Sequence, residues 1–298
     1  MSAEGGAGDP RVGFVGLGNI GLPMASRLVD APGGLTVFDL VPATATKLVE
    51  QGAALAGSVK DLAGRSDVIC VMVQNDEQVR GVLGEVMSSA APGTTVVVHS
   101  TIHPDTAVDA AHLARQGGVH VLDAPVSGGP MGAESGRLAL MVGGAEEGFE
   151  RARPVLERLG DLVVHLGPAG AGTRAKLARN LLHFVSFTAA GEALRLAEAA
   201  GIPPEVLGQI VRHSDAVTGG VGAVMWRDTA APMEEGDGWW SILDHVRVLG
   251  EKDLTLAIEL GDHLGVPTPM ADYALKGLAP ALGFPAPGPD HVDDEEQP

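Results

Sequence analysis

Three glycines near the start of the chain have the spacing of a loop that binds a dinucleotide. Gly16, Gly18 and Gly21 form the pattern G-x-G-x-x-G directly after the apolar run RVGFV and directly before the helical segment 20–28. Glycines at these positions allow a tight turn and a close approach to a pyrophosphate, and the following helix offers unpaired N–H donors to that anion. The succession of strand, glycine loop and helix therefore predicts a dinucleotide site. The alternative is a tight turn that binds no ligand. The residues of this predicted loop are Gly16, Leu17, Gly18, Asn19, Ile20 and Gly21.

An acidic residue at the end of the second apolar run indicates which dinucleotide would bind. Asp39 closes the run LTVFD, where a carboxylate can accept hydrogen bonds from the ribose hydroxyls of NAD. The 2′-phosphate of NADP would need a cation, but Leu40 and Val41 follow and the first base downstream is Lys47. We therefore expect NAD as the cofactor, with NADP less favoured. Alternatively, Asp39 only caps a helix that begins near Pro42.

A second group of small residues follows a later apolar run. Ser127, Gly128 and Gly129 come after the run 119–123 and offer a hydroxyl and backbone N–H groups in one turn. Such a turn can bind a carboxylate. A turn made of small residues with no ligand is the alternative.

The charge balance argues against several classes of partner. The chain has 298 residues with 20 Lys and Arg against 38 Asp and Glu, a formal net charge of −18. A polyanion would meet a repulsive field, so we expect neither nucleic acid nor a membrane surface as a partner. Cys70 has no second cysteine to pair with, and neither a secretion signal nor a membrane-spanning run is present in the sequence. We expect a cytoplasmic protein, and no metal site.

Short apolar runs alternate with amphipathic segments over residues 11–167. Several of these runs have apolar residues at consecutive positions, as do strands that are buried on both faces. The fold class predicted is α/β, with an N-terminal Rossmann-type, doubly wound, mainly parallel sheet. The predicted strands are 12–15, 35–38, 68–73, 94–99, 119–123, 138–142 and 162–166.

The alternation stops near Gly167, and the rest of the chain has helical spacing. We therefore expect a dinucleotide-binding domain over 11–167 and an all-α domain over 168–284. Residues 1–10 are Gly-rich and residues 285–298 are rich in Pro and acidic groups, so both predict flexible tails. The predicted helices of the second domain are 173–200, 203–213, 242–264 and 270–278.

Four motifs occur in order along nearly the whole predicted globular part of the chain. They are GFVGLGNIGLPMASRL at 13–28, DAPVSGG at 123–129, GAGTRAKLARN at 170–180 and EKDLTLA at 251–257. Together they resemble the β-hydroxyacid dehydrogenase family, which includes 3-hydroxyisobutyrate dehydrogenase and tartronate semialdehyde reductase. The resemblance implies a Rossmann-type domain, a helical domain over 168–284 for substrate binding and oligomerisation, and a catalytic cleft between them.

The resemblance also implies roles for individual residues. Lys176 matches the family's catalytic lysine, and Asn180, four residues on, would bind the substrate or orient the ammonium group. A lysine that is partly desolvated on a helix rich in Ala and Leu has a lowered pKa, which suits it to act as general acid and base. In the family, the loop that matches Ser127, Gly128 and Gly129 holds the acid group of the substrate.

Further matches concern the cofactor. Val73 and Gln74 match positions that line its adenosine and ribose side, and Thr101 matches a family Ser or Thr that contacts it. Lys252 matches a lysine that reaches toward the cofactor, although an exposed helix residue is the alternative reading.

The chain also departs from the family pattern. Arg179 stands where the family has the first of two asparagines, and His245 replaces an aromatic residue. Trp239 and Trp240 lie in an unusual segment, GDGWWSILDH, which would either rebuild the substrate pocket or pack a helix interface. An inward-pointing Arg179 would lower the pKa of Lys176 or bind a second acidic group, whereas an outward-pointing one would face solvent.

The function implied is NAD-dependent oxidation of a small 3-hydroxy acid, or reduction of the matching semialdehyde, by a homodimer or homotetramer. An imine reductase-like enzyme is an alternative, although in those enzymes the lysine is commonly replaced. A second alternative is a non-catalytic regulatory module that binds a dinucleotide. The presence of Lys176 and Asn180 disfavours it. A 6-phosphogluconate dehydrogenase would carry a much longer helical domain.

Overall fold

A computed structural model describes residues 9–225, 227 and 229–285. Most of the predicted N-terminal tail, 1–8, and residues 286–298 of the predicted acidic tail lie outside these ranges. The chain divides into two compact units at Leu181 and Leu182. The predicted domain boundary at Gly167 is where the last strand has ended and a long helix is about to begin.

The first unit contains a six-stranded parallel sheet with the strand order β3-β2-β1-β4-β5-β6. Apolar side chains are buried on both of its faces. Phe14 and Val15, which are successive residues of one strand, belong to two different hydrophobic clusters. Helices cover both faces, so the predicted Rossmann-type, doubly wound fold is confirmed. The strands are β1 (Val12–Val15), β2 (Leu35–Phe38), β3 (Ala54–Leu55), β4 (Val68–Val71), β5 (Thr95–Val98) and β6 (His120–Asp123).

Some of the connecting helices begin at a residue whose side chain caps them. Ser58 accepts a hydrogen bond from the N–H of Asp61, and Asn75 accepts one from the N–H of Gln78. A short 3₁₀ helix, Pro42–Ala45, precedes the second helix. The helices of this unit are α1 (Gly21–Ser26), α2 (Thr46–Glu50), α3 (Val59–Ala63), α4 (Asp76–Met87), α5 (Pro104–Arg115), α6 (Gly129–Ser135) and α7 (Glu146–Leu159).

The last predicted strands of this unit form a separate sheet. It consists of β7 (Val126–Ser127), β8 (Ala139–Val142) and β9 (Leu162–His165), in that order. β7 and β8 are antiparallel, and β8 and β9 are parallel. One bridge between Asp123 and Gly143 joins this sheet to the end of β6. Two-residue strands such as β3 and β7 carry too few residues to show a period in the sequence.

The C-terminal part of the chain is helical, as predicted. Its helices are α8 (Ala171–Ala199), α9 (Pro204–Thr218), α10 (Trp240–Leu264) and α11 (Pro269–Ala281), and Gly220–Val224 forms a 3₁₀ helix. α8 begins in the first unit and continues into the second. Glu192, which is buried in α8, accepts hydrogen bonds from the N–H groups of Met270 and Ala271, and so caps α11.

The Trp239 and Trp240 segment packs inside the second unit. Both indoles lie against a small cluster of Met233, Leu243, Leu282 and Phe284. Of the two interpretations given above, this packing favours the helix interface. None of the helices in the described ranges is long and apolar enough to cross a membrane.

Candidate functional site

The glycine loop turns sharply between β1 and α1. Gly16 has φ +94°, and a Cβ there would collide with the carbonyl oxygen of Met72. A Cβ on Gly21 would collide with the carbonyl oxygen of Gly16, so the protein's own packing requires both glycines. A Cβ on Gly18 would have no heavy atom within 4 Å. The space beside Gly18 is therefore open, as a loop that cradles a pyrophosphate requires.

Asp39 lies against this loop. Its Oδ2 accepts a hydrogen bond from the N–H of Leu17 at 2.7 Å, and its Oδ1 accepts one from the N–H of Val41 at 2.8 Å. The 3₁₀ helix that follows has no side-chain cap, so capping does not explain this aspartate. Each carboxylate oxygen keeps a lone pair for a ribose hydroxyl. Leu40 is 86% exposed beside it.

A buried serine joins the loops after β4 and β5. Ser100 Oγ accepts a hydrogen bond from the N–H of Val73 at 2.9 Å and donates one to the carbonyl of Val73 at 2.7 Å. These two bonds join the loop that carries Gln74 to the loop that carries Thr101. The side chains of Gln74 and Thr101 are both exposed. Ser100 was not among the predicted site residues, although a polar residue at the end of a buried strand is a usable signal.

The predicted loop residues converge on one edge of the parallel sheet. Residues 16–21 follow β1, Asp39 follows β2, and the two loops joined by Ser100 follow β4 and β5. The strand order changes direction between β1 and β4. Ligands of doubly wound sheets bind at such a switch point, outside the carboxyl ends of the strands.

Asp123, at the end of β6, holds the start of α8. Its side chain is 1% exposed. Oδ1 accepts a hydrogen bond from the N–H of Gly170, and Oδ2 accepts one from the N–H of Thr173, both at 2.7 Å. The carboxylate thus takes up N–H groups that a helix start leaves unpaired, and its charge complements the helix dipole. Asp123 begins the motif DAPVSGG but was not among the predicted site residues.

Two further glycines permit this close contact. A Cβ on Gly172 would collide with the carbonyl oxygens of Met141 and Asp123, and a Cβ on Gly143 would collide with the Asp123 carboxylate. The first turn of α8 therefore lies directly on the ends of β6 and β8. This contact fixes the position of the side chains in the next turn.

Lys176 occupies that next turn and is 9% exposed. Burial, assisted by the positive charge of Arg179, lowers the pKa of Lys176. Among the described residues it has neither an ion-pair partner nor a side-chain hydrogen bond. Asn180 lies one turn further and is half-buried, and Arg179 Nη1 lies 3.4 Å from its Oδ1. A lysine in this state exchanges protons more readily than one in water.

The turn after β7 requires its glycines. Gly128 has φ +135° and Gly129 has φ +63°, conformations that favour glycine. Ser127 is the last residue of β7, paired with Ala139 of β8, and is half-buried. Gly128 and Gly129 are exposed.

Two residues that the sequence singled out lie on α10, in the second unit. Lys252 is exposed, with Nζ 2.9 Å from Asp253 Oδ1, and His245 is exposed. The contact of Lys252 with cofactor stays a prediction.

Two histidines with a metal-like spacing do not form a site. His99 and His103 are four residues apart, but His99 is buried and donates from Nδ1 to the carbonyl of Ala124 at 2.9 Å. Burial lowers the pKa of His99 to about 4, so it is neutral at pH 7. His103 is exposed. Over the described ranges, no group of three or more His, Cys, Asp or Glu is arranged to hold a metal ion.

Comparisons with known proteins place this geometry in a family. Residues 11–167 match the model of the NAD binding domain of 6-phosphogluconate dehydrogenase. Residues 170–283 match the model described as NAD-binding of NADP-dependent 3-hydroxyisobutyrate dehydrogenase. Together these models cover nearly all of the described chain.

Individual relatives extend over almost the same length. An uncharacterized oxidoreductase from Mycobacterium tuberculosis is 51% identical over 281 residues, 93% of this chain and 95% of that one. The NAD-dependent L-serine dehydrogenase of Pseudomonas aeruginosa is 37% identical, over 89% of this chain and 90% of its own. The crystal structure of a protein from Mycobacterium avium 104 is 48% identical, with a TM-score of 0.90 over 93% of this chain and 99% of that one.

Proposed function

This chain belongs to the β-hydroxyacid dehydrogenase family that includes 3-hydroxyisobutyrate dehydrogenase, and from that premise we propose that it is an NAD-dependent dehydrogenase of a small 3-hydroxy acid. The coarser statement, an NAD(P)-binding oxidoreductase, follows from the family itself. One observation carries the finer proposal. Lys176 is a buried lysine without a counter-ion among the described residues, on a helix fixed to the sheet edge that carries the glycine loop.

The names of the relatives support the substrate class. 3-Hydroxyisobutyrate and L-serine are both acids with a hydroxymethyl group on the carbon next to the carboxylate. We therefore expect a substrate in which the reacting hydroxyl is on C3 and the carboxylate is C1. The product of oxidation is the matching semialdehyde, and the reverse reaction reduces it.

Lys176 is the proton acceptor in this reaction. Its neutral amine takes the proton of the C3 hydroxyl while the C3–H bond breaks and a carbonyl forms at C3. The nicotinamide ring, when bound, would accept the hydride from C3. In the reverse direction the ammonium of Lys176 returns the proton to the alkoxide oxygen. The lowered pKa makes the neutral form of the lysine easier to reach than it is for a lysine in water.

The turn after β7 is the proposed site for the substrate's carboxylate. Ser127 offers its hydroxyl, and the exposed Gly128 and Gly129 offer N–H groups from the same turn. Asn180 lies on the same face of α8 as Lys176 and would bind the hydroxyl or orient the amine.

The preference for NAD rests on Asp39. Its carboxylate is fixed in place by two backbone N–H groups. A 2′-phosphate at this position would face a like charge, and no basic residue occurs between 40 and 46 to offset it. Val73, Gln74, Thr101 and Lys252 are the further cofactor contacts of the proposal.

A second copy of the chain is the proposed partner of the helical unit. Only a small cluster of its large apolar side chains is buried in the described ranges, and α9 has no buried residue. Large apolar side chains are instead exposed along α8, α9 and α10, including Phe184, Phe187, Ile210 and Leu256. A groove of about 490 Å³ with an apolar lining also opens between α8, α10 and α11. Apolar surface of this extent is typical of a subunit interface.

A substrate panel with two lysine variants tests the proposal. Short 3-hydroxy acids, semialdehydes and cyclic imines are assayed by nicotinamide absorbance with both cofactors. Lys176→Ala should lower kcat by roughly 10²–10⁴-fold, the usual contribution of a general acid or base. Its affinity for NAD should stay close to that of the wild type. Lys60→Ala, which alters an exposed lysine on α3, is the matched control and should leave kcat unchanged.

The outcomes separate the competing functions. Near-normal turnover of a hydroxy acid by Lys176→Ala would refute the proposed mechanism. Reduction of imines without turnover of any hydroxy acid would favour an imine reductase. Binding of NAD with no turnover of the panel by the wild type would favour a regulatory module.

A further inference from the structure

The first turns of α8 carry positive charge without acidic neighbours in the sequence. Between residues 171 and 191 the chain has Arg174, Lys176 and Arg179 but no Asp or Glu, although the whole chain has a net charge of −18. None of these three residues forms an ion pair with any residue that the structure describes. In contrast, several exposed arginines elsewhere do pair, such as Arg11 with Asp67 and Arg137 with Asp161.

Arg179 lies next to the reactive lysine. At 3.6 residues per turn, Arg179 is about 60° and Asn180 about 40° around the helix axis from Lys176, so the three share one face. Arg179 Nη1 lies 3.4 Å from Asn180 Oδ1, and its charge lowers the pKa of Lys176. Arg174 is about 160° away, on the opposite face.

Burial varies along this face. Lys176 is buried, Asn180 is half-buried and Arg179 is exposed. The Arg179 guanidinium therefore lies at the exposed end of this face, which we call the outer end. The Lys176 amine lies at its buried, inner end.

We propose that Arg179 binds a second carboxylate of the substrate, so that the enzyme prefers 3-hydroxy diacids to 3-hydroxy monoacids. The inference rests on the proposed function, since it names the substrate of the same site. A planar guanidinium with five donors matches a carboxylate in a bidentate pair. The first carboxylate binds at Ser127 to Gly129, so the second belongs to the C2 substituent of the acid.

The two cations are neighbours on this face. Residues three apart on a helix have Cβ atoms roughly 5–6 Å apart, so one small ligand can contact both side chains. The second carboxylate would then meet Arg179 at the outer end, while the hydroxyl meets Lys176 at the inner end.

The test compares a carboxylate with its uncharged analogue. The probes are a 3-hydroxy acid whose C2 side chain ends in a carboxylate, the same compound with a terminal primary amide, and 3-hydroxyisobutyrate. For the wild type, kcat/KM for the diacid should exceed that for the amide by roughly 2- to 5-fold, the contribution of an ion pair to an exposed arginine. This ratio should decrease as salt is added.

Two matched variants identify the residue responsible. Arg179→Gln should bring the ratio of diacid to amide close to one, whereas Arg174→Gln, the same change on the opposite face, should leave it unchanged. Removing Arg179 also raises the pKa of Lys176, which slows oxidation of both probes at a fixed pH. The ratio of the two probes cancels this effect, and measurements on the high-pH plateau avoid it.

The results distinguish failure of this inference from failure of the proposed function. A wild type that oxidises 3-hydroxyisobutyrate but does not favour the diacid over the amide would overturn the role of Arg179 alone. The same conclusion follows if Arg179→Gln lowers the rates of both probes equally, or if Arg174→Gln reduces the ratio as much. A wild type that oxidises none of the three probes while binding NAD would instead overturn the proposed function.

Discussion

Replacing Asp123 by Asn tests whether the buried carboxylate positions the reactive lysine. The carboxylate accepts two hydrogen bonds at 2.7 Å, from Gly170 and Thr173, and makes no other side-chain hydrogen bond in the described ranges. An amide of the same shape offers one oxygen to one N–H, and turns its NH₂ group toward the other N–H. The start of α8 thus loses one charged acceptor and gains an unfavourable contact between two donors.

The size of the effect follows from these two bonds. A hydrogen bond to a charged group contributes about 1.5–3 kcal/mol, and the remaining bond weakens when the acceptor becomes neutral. We expect the free energy of unfolding to fall by about 2–4 kcal/mol. The loosened helix start carries Lys176 with it, and a displacement of about 1 Å at a reacting group can cost about 10²-fold in rate. We therefore expect kcat to fall roughly 10- to 100-fold.

Urea denaturation and steady-state kinetics measure the two effects separately. The affinity for NAD should stay within about twofold of the wild type, because the glycine loop is held by Met72 and Asp39 and not by α8. Asp161→Asn is the control, since Asp161 is an exposed carboxylate paired with Arg137 and its loss should change stability by less than about 0.5 kcal/mol. A variant of Asp123 with normal kcat despite reduced stability would refute the positioning role. A variant with unchanged stability would refute the capping role as well.

Four further predictions concern other parts of the structure. Asp39→Ala should lower the ratio of kcat/KM with NAD to kcat/KM with NADP toward one. A wild type that prefers NADP would contradict our interpretation of this carboxylate. Ser127→Ala should raise KM more than it lowers kcat if the hydroxyl binds the substrate carboxylate equally in the ground and transition states. Equal decreases of kcat and kcat/KM would instead mean that the hydroxyl acts in the chemical step. The folded-state pKa of His99, about 4, lies below its unfolded value of 6.5, so the unfolded chain binds the proton first as pH falls. Stability should therefore be lost between about pH 6.5 and pH 4 by about 3 kcal/mol, and denaturation curves of His99→Asn should lack this loss if His99 is its source. Sedimentation at micromolar concentration should give a dimer or tetramer, and Phe187→Glu, on the exposed face of α8, should shift the assembly toward monomer; a monomeric wild type would contradict the proposed interface.

The sequence by itself determined the features that depend on local pattern. Runs of consecutive apolar residues identified β1, β2, β4, β5 and β6, and helical spacing identified α8 to α11 to within a few residues. The G-x-G-x-x-G spacing located the turn after β1, and the motif at 170–180 singled out the helix that carries Lys176. Each of these signals is contained in neighbouring residues, where backbone geometry and burial impose their own periods.

Only the tertiary structure decided how distant segments meet. The strands at 139–142 and 162–165 form their own sheet, because β8 pairs with β7 and not with β6, and a strand's pattern does not name its partner. The bonds of Asp123 to α8 and of Ser100 to Val73 join positions separated by about 50 and 27 residues, so no local period records them. The open space at Gly18 and the collisions that keep Gly143 and Gly172 free of side chains depend on what the folded chain places beside them. The folded structure also decides that Lys176 is buried without a counter-ion among the described residues. This burial lowers its pKa, because a side chain's pKa depends on its surroundings in the folded protein and not on its neighbours in sequence alone.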